Sequence, residues 1–215
     1  MAGNESALSR AIEAETVNRV EQYAAALISN RLSGAPEDII QEINARHSLD
    51  WNPSSPISAR TLTIAAENRL ERIDEAILIC SPPSIRSRAS MIPLSDVEIM
   101  INDNVKGWFF LVKELAAIFT ARKRGTLALV FPDISISGKD DNADVLGPSA
   151  LASFRALTQG LLTAAHSEPY ITVGFSHTDA GNETAFAAYI FKILDEINNK
   201  AKGKMFKFGK FSFFK

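Results

Sequence analysis

Few side chains in this 215-residue chain have the chemistry of a metal ligand, a nucleophile or an acid-base catalyst. Its histidines, His47, His166 and His177, share no ligand spacing with one another or with the single cysteine, Cys80, so no metal site is expected. His177 has the carboxylate of Asp179 close in sequence, which could orient it as an acid or base. Cys80 ends an apolar run, where a cysteine is either a reactive thiol or, more commonly, a small core residue.

The charge balance argues against two classes of partner. With 23 basic and 25 acidic residues, the chain lacks the basic excess that a nucleic-acid backbone requires. No secretory signal is recognisable, and no apolar run reaches the roughly 18 residues that a membrane span needs. A lone cysteine forms no internal disulfide, so the cytoplasm is the expected compartment. At 46% hydrophobic residues, 1–215 can form a single domain with a full core.

Apolar runs of strand length alternate with helical patterns along the chain. The strand-like runs cover 24–29, 75–80, 125–131 and 170–175. Apolar residues recur every three or four positions in 5–23, 36–45, 58–72, 94–122, 148–166 and 183–198, with a break expected in the fourth pattern. This alternation predicts an α/β fold, a doubly wound parallel sheet with helices on both faces.

Helix 104–122 has more apolar surface than one sheet face covers. One stripe comprises Val105, Trp108, Phe109, Val112, Leu115, Ala116 and Phe119, and a surplus outside it comprises Phe110, Leu111 and Ile118. A helix that is apolar around so much of its circumference is usually buried on two sides. The second side is covered either by neighbours within the monomer or by another subunit.

Three stretches resemble the short-chain dehydrogenases/reductases. Asn104 and Gly107 in "NDNVKGWFFLVKELAAIFTARKRGTLALVF" occupy motif positions of the family, and "ALASF" at 150–154 fits its Tyr-x-x-x-Lys frame. Upstream, "AGNESALSRAI" matches the glycine-rich nucleotide loop. The resemblance covers nearly the whole chain. It implies a Rossmann-like fold, an NAD(P) site and an oxidoreductase of the 3-oxoacyl reductase type.

The catalytic dyad of that family is absent. In an active member, the tyrosine exchanges a proton with the substrate, and the lysine one turn later lowers the tyrosine pKa and holds the nicotinamide ribose. Ala150 and Phe154 occupy these positions and can do neither. Asn104 and Ser137, or alternatively Ser135, remain at the family's other two catalytic positions, and we interpret them as vestigial.

The nucleotide loop departs from the family in the same direction. It keeps Gly3 and Arg10, but Ser9 replaces its third glycine and Ala7 its second, while Glu5 adds a negative charge that should repel a pyrophosphate. Few residues precede the loop, so the first strand is expected to be truncated or missing. The resemblance also assigns cofactor contacts to Asp50, in the adenine-contacting pair, and to Arg31, which favours the 2′-phosphate of NADP. We therefore expect NAD(P) binding that is weak or lost.

The C-terminal stretch "KGKMFKFGKFSFFK" alternates phenylalanine with lysine. Strict alternation puts Phe206 and Phe208, and then Phe211 and Phe213, on common faces, which favours an edge strand. A basic and aromatic tail that binds nucleic acid or membrane is the alternative. We prefer the strand, and expect neither nucleic acid nor a membrane as partner.

Two functions remain after these comparisons. The first is an inactive family member that serves as a binding or assembly subunit, as a homodimer or homotetramer through helices 104–122 and 148–166 or with an active paralogue. Surplus apolar residues of the second helix, Leu151, Phe154, Leu161 and Leu162, support such an interface. The second is an active NAD(P)-dependent oxidoreductase with non-standard catalytic residues. Loss of dyad and glycines together favours the first.

Overall fold

The computed structural model describes residues 1–3, 6–23, 29–30, 49–133, 143–178 and 181–209. Its strands are β1 (Ala2–Gly3), β2 (Ser29–Asn30), β3 (Glu75–Ile79), β4 (Thr126–Pro132), β5 (Ile171–His177) and β6 (Met205–Phe208). Its helices are α1 (Ala7–Tyr23), α2 (Pro56–Leu70), α3 (Leu94–Ile101), α4 (Gly107–Arg122), α5 (Leu146–Ala164) and α6 (Glu183–Asp195). Predicted helix 36–45 and most of predicted strand 24–29 lie outside the described residues.

All strand pairs are parallel, in the order β2-β1-β3-β4-β5-β6. This confirms the predicted doubly wound α/β fold. The first strand consists of Ala2 and Gly3, which pair with β2 on one side and with β3 on the other. β6 lies at the end of the sheet, as the alternation of its residues predicts, whereas Phe211 and Phe213 lie outside the described residues.

The two faces of the sheet bury separate cores. Alternate residues of β4 point to opposite faces: Leu127, Leu129 and Phe131 to one, and Ala128 and Val130 to the other. The first core, under α2, α4 and α5, includes Trp51, Leu62, Trp108, Leu111, Leu115, Phe119 and Phe154. The second core, under α1 and α6, includes Leu8, Ile12, Phe175, Phe186, Ile190 and Leu194. No helix within the described ranges is long and apolar enough to cross a membrane.

Part of the predicted surplus apolar surface belongs to the monomer core. Leu111, Phe154 and Leu162 are buried, because α4 and α5 pack against the sheet and against neighbouring elements of the same chain. Phe109, which the periodicity places in the buried stripe, is instead 50% exposed. For Leu111, Phe154 and Leu162 this is the monomer alternative that the sequence left open, whereas the predicted burial of Phe109 was wrong, since helical periodicity does not reveal which neighbour covers an apolar face.

A glycine closes the turn between α4 and β4. Lys123 ends the helix in the left-handed conformation, and Gly125 has a φ of +141°. A Cβ atom on Gly125 would lie 2.2 Å from the ring of Phe119, so both the backbone conformation and the close approach require glycine. After this turn, β4 begins and pairs in parallel with β3.

Candidate functional site

The strand order reverses between β1 and β3, because the chain runs outward from β1 to β2 and then returns to the other side of β1. In open α/β sheets, ligands bind beyond the carboxyl ends of the strands at such a switch point. Gly3 and Ile79 are the last residues of these two strands, and α1 begins directly above them. The candidate site is therefore the carboxyl edge of the sheet around Gly3.

At this point α1 is capped by its own chain. The backbone N–H of Ser9 donates to the hydroxyl oxygen of Ser6 at 3.0 Å, and the Ser6 hydroxyl donates to the Ser9 hydroxyl, also at 3.0 Å. Ser9 is buried, and a Cβ atom on Gly3 would lie 3.0 Å from its Oγ and 3.1 Å from Ile79 Cβ. A side chain at this position would be crowded, so the packing favours glycine here even without a bound ligand. Arg10 is exposed on the first turn of α1.

A π-helical turn at Asn102–Lys106 separates α3 from α4, which is the break expected in the fourth helical pattern. Asn104 is buried within this turn, and the turn packs against α5. Such π turns inside helices occur frequently at functional sites. Gly107 follows the turn and meets the loop before α2, where an added Cβ would lie 2.6 Å from Pro53 Cβ.

Aromatic rings fill the space beside Ala150 and Phe154. Phe154 is only 1% exposed and contacts Trp108 edge-on, with ring centroids 5.4 Å apart. It also contacts Phe131, with the ring centroids 6.1 Å apart. Trp108 in turn contacts Trp51, with their ring centroids 6.5 Å apart. These four residues, Trp51, Trp108, Phe131 and Phe154, are called the aromatic cluster below. Ala150, one turn before Phe154, is also buried.

Cys80 belongs to the same core. Its side chain is fully buried, and this burial raises the pKa of the thiol far above its usual range. The indole N–H of Trp108 interacts weakly with the sulfur and opposes the shift, although it makes no hydrogen bond of good geometry. A neutral, inaccessible thiol is a packing group, which is the commoner of the two interpretations of Cys80.

The segment after β3 lies against the start of α5. The carbonyl oxygen of Pro83 would be 3.1 Å from a Cβ on Gly147, and Arg86 forms an isolated antiparallel bridge with Asp144. Asp144 in turn accepts a hydrogen bond from the Gly147 N–H at 2.9 Å. These contacts place the segment beside the start of α5.

His177 lies on the other face of the sheet from Phe154. It is buried against Phe186 of the second core, with ring centroids 4.6 Å apart. The structure therefore does not bring His177 together with Asn104 or Ala150. Asp179, its proposed orienting residue, lies outside the described residues.

One ion pair lies near the aromatic cluster. Asp133 follows β4 and pairs with Arg155 of α5, whose guanidinium is 5.8 Å from the centre of the Phe131 ring. The Nε of Arg155 is buried without a hydrogen-bond partner.

Among the described residues, no group of three potential metal ligands is present.

The sequence-predicted positions fall into two groups. Gly3, Ser9 and Arg10 meet at the switch point, while Asn104, Ala150 and Phe154 meet where the π turn packs on α5. Asp50 is exposed directly before Trp51. Arg31 and Ser137 lie outside the described residues. Sequence reasoning missed Ser6, although a serine just before a helical pattern is a recognisable N-cap signal.

Comparison with known proteins gives a structural likeness only. No protein-family model and no curated protein matches the chain. A short-chain dehydrogenase from Mycobacterium smegmatis superimposes with a TM-score of 0.72 at 10% identity, covering 97% of this chain and 91% of that one. Serine dehydrogenase from Escherichia coli has a TM-score of 0.70 at 12% identity, covering 97% of both chains.

A metagenomic short-chain oxidoreductase in complex with NADP is also similar, with a TM-score of 0.67 at 12% identity and 98% of both chains covered. Identities this low show the fold alone. The chain has the Rossmann-like fold of the short-chain dehydrogenases/reductases over nearly its whole length, which confirms the resemblance at the level of fold.

Proposed function

We propose that this protein is a short-chain dehydrogenase/reductase relative that has lost hydride transfer and serves as a binding or assembly subunit in the cytoplasm. The observation that carries the proposal is the burial of Phe154. In active members of the family, the residue at this position is a lysine that faces the nicotinamide ribose. In this protein the phenyl ring of Phe154 packs between Trp108 and Phe131. A methyl group at Ala150 has no proton to exchange.

The same residues do not fit a bound nicotinamide ribose. Such a ribose needs hydrogen-bonding groups, whereas Phe154 and Ala150 present only carbon and are themselves covered. At the switch point, Ser6 satisfies one of the α1 amides that a pyrophosphate would use. We therefore propose that NAD(P) binds weakly or not at all.

Titration with NADH and with NADPH tests the cofactor proposal. Binding would be followed by the fluorescence of the reduced nicotinamide, and turnover by its absorbance with ketoacyl, keto-steroid and sugar substrates. We expect neither binding at micromolar concentration nor turnover, because general acid catalysis alone supplies about 10² to 10⁴ in rate. Micromolar affinity for either cofactor would contradict the proposal.

A double substitution, Ala150→Tyr with Phe154→Lys, distinguishes the absence of the catalytic dyad from the changes in the nucleotide loop. It returns tyrosine and lysine to the dyad positions, but the Ser6 cap and the Ser9 hydroxyl stay in place and the lysine amine would be buried among aromatic rings. We therefore expect no cofactor-dependent turnover from this variant, and circular dichroism must first show that it is folded. Turnover in this variant would mean that the nucleotide site is intact.

The alternative is an oxidoreductase with non-standard catalytic groups, and one observation favours it. Asn104 retains a buried position on a π turn next to α5. If any turnover is measured, Asn104→Ala and Ser137→Ala should abolish it under this alternative. Loss of turnover in either variant would assign the chemistry to these residues.

Homo-oligomerisation through α4 and α5 is the assembly that we propose. Phe109 is half exposed on α4, and α5 presents the small exposed residues Ala152, Ala156 and Gly160 at four-residue spacing. A Cβ on Gly160 would meet no atom within 4 Å. Small residues let two helices approach closely, so a twofold axis beside α5 would bury this surface together with Phe109. An active paralogue could take the place of the second copy.

Sedimentation velocity of Ala156→Arg tests this surface. The arginine points to solvent in the monomer, so folding should be retained, but it would separate two closely packed helices. We expect the wild type to form a dimer or tetramer, and the variant to lose the α5 contact and sediment as a smaller assembly than the wild type. Exposed Lys192 of α6 offers a control, Lys192→Glu, that should leave assembly unchanged. Unchanged assembly of Ala156→Arg would contradict the proposed interface.

A further inference from the structure

The connection between β3 and α4 exposes several large apolar side chains close together in sequence. Leu94 is 82% exposed and Met91 is 70% exposed, and only Ile92 and Pro93 separate them. Further along α3, Ile99 and Ile101 are 48% and 41% exposed, and Met100 is the only buried residue of that helix. Apolar side chains grouped in this way usually mark a contact with another molecule.

Charges of opposite sign flank this apolar centre. Arg88 has an extended backbone and directly precedes the short 3₁₀ turn Ala89–Met91, so a basic residue lies at the amino end of the turn and Met91 at its other end. Glu98 follows Leu94 by one helical turn and shares its face of α3. Both charged residues are exposed, and neither forms an ion pair with another described residue.

Along the segment, a basic residue is followed by apolar residues and then by an acidic residue. A second copy of the segment that runs in the opposite direction therefore presents the complementary charge at each end. In a twofold contact, residue i of one copy meets residue j of the other, and j meets i. A second copy laid antiparallel would place its Glu98 against Arg88, and its Arg88 against Glu98, on either side of the paired Met91 and Leu94 side chains. The net charge of Arg88 and Glu98 is zero, so the complementary partner is one with the same alternation, which this chain itself supplies.

We propose that the segment from Arg88 to Ile101 binds the same segment of a second copy across a twofold axis. The apolar centre supplies the affinity, and the two Arg88–Glu98 pairs fix the antiparallel orientation. This contact does not rest on the loss of catalysis, and it is separate from the small-residue surface of α5. Two different twofold contacts in one chain would generate a tetramer.

Charge reversal tests the contact, because the two variants should complement each other. In Arg88→Glu alone, glutamates face each other at both ends of the contact, and in Glu98→Arg alone, arginines do. We expect each variant to weaken self-association about tenfold, since every reversal acts twice by symmetry. An equimolar mixture restores opposite charges at both ends, so association should return to the wild-type level.

Sedimentation velocity of each variant and of the mixture gives the measurement. Lys192→Glu and Glu196→Arg on α6 are matched controls, because they make the same charge changes at exposed positions outside the segment. Far-UV circular dichroism and thermal melting check that every variant is folded. Combining Ala156→Arg with the reversals distinguishes this contact from the α5 surface, since only the α5 contact should be missing in Ala156→Arg alone.

Three outcomes would overturn the proposal. They are association of either single variant at wild-type strength, a mixture that associates no better than its components, and a wild-type protein for which Ala156→Arg alone gives monomers. Equal weakening by the α6 controls would also overturn it, because a general charge effect would then explain the result.

Discussion

The amino and carboxyl ends of the parallel strands, here called the amino edge and the carboxyl edge of the sheet, are held by different interactions. At the amino edge, ion pairs join helices, the turns that follow them and the start of β3, and they comprise Arg19 with Glu75 and Asp195, Asp74 with Arg72 and Arg124, and Arg122 with Glu67. At the carboxyl edge, the interior is the aromatic cluster, and Asp133 with Arg155 is the ion pair that the described residues place beside it.

This contrast matters because the carboxyl edge is where doubly wound folds bind their ligands. A working site there would need polar groups that are held apart and remain accessible. In this protein Phe154 and the aromatic side chains around it are buried there, while most ion pairs of the described residues lie at the opposite edge. We therefore expect Phe154 and its neighbours to respond to substitution as core residues do.

Substitution of Phe154 should have the largest effect on stability. Phe154→Ala removes a buried ring that contacts Trp108 and Phe131, and we expect a loss of about 3–5 kcal/mol in the free energy of unfolding. Phe154→Lys should cost at least as much, because it buries an amine among aromatic rings without a partner. Urea denaturation gives both values, and Phe154→Leu is the control that keeps most of the buried volume.

A mild effect of Phe154→Lys would contradict the comparison. It would mean that the lysine reaches solvent or a polar partner at the carboxyl edge, as expected of a site that is still open. Binding of NADH by the same variant would strengthen that conclusion.

At the amino edge, Arg19→Ala should cost less. Arg19 pairs with two carboxylates and lies 4.9 Å from the centre of the Phe191 ring, but its side chain is 26% exposed. After allowance for solvent screening, we expect a loss of about 1–2 kcal/mol. Salt should reduce the difference between this variant and the wild type, whereas it should not reduce the effect of Phe154→Ala. Salt-independent destabilisation would show that Arg19 acts through packing alone.

The Ser6 cap offers a comparison within the carboxyl edge itself. Ser55 caps α2 in the same way, accepting from the Ser58 N–H at 3.2 Å. Both Ser6→Ala and Ser55→Ala should therefore cost about 1 kcal/mol, and glycine at either position only a few tenths. Thermal melting of the four variants measures these differences. A much larger effect at Ser6 would indicate that the switch point depends on this hydroxyl for more than a helix cap.

Much of the fold could be predicted from local patterns in the sequence. The run at 75–80 becomes β3, and the pattern at 94–122 contains its expected break as the π turn, because strand and helix periodicities are local properties. Covering partners are not local. Burial of Leu111 depends on the way that α4 packs against other parts of the chain, and no periodicity specifies that packing.

The candidate site shows the same limit. The resemblance leads us to expect a proton donor and a cation at the positions of Ala150 and Phe154, but the sequence does not indicate which residues surround them. The ring of Phe154 contacts Trp108 of α4 and Phe131 of β4, which are distant in sequence. Only the assembled layers show that aromatic rings pack around Phe154.

Acid titration of Glu183 should give the smallest effect. The carboxylate lies at the start of α6 and accepts a hydrogen bond from the Gly181 N–H at 3.1 Å, and this bond and the helix amide of Glu183 lower its pKa. A depressed folded-state pKa stabilises the protein above the unfolded value of about 4.3, and that contribution is lost as the pH falls through the lower folded-state pKa. The melting temperature of Glu183→Gln should accordingly lie slightly below that of the wild type at neutral pH and converge with it in acid. Because the carboxylate is largely solvent-exposed, the neutral-pH difference should be smaller than that for Ser6→Ala. A difference that grows in acid would have the wrong sign for a depressed pKa and would exclude this capping role.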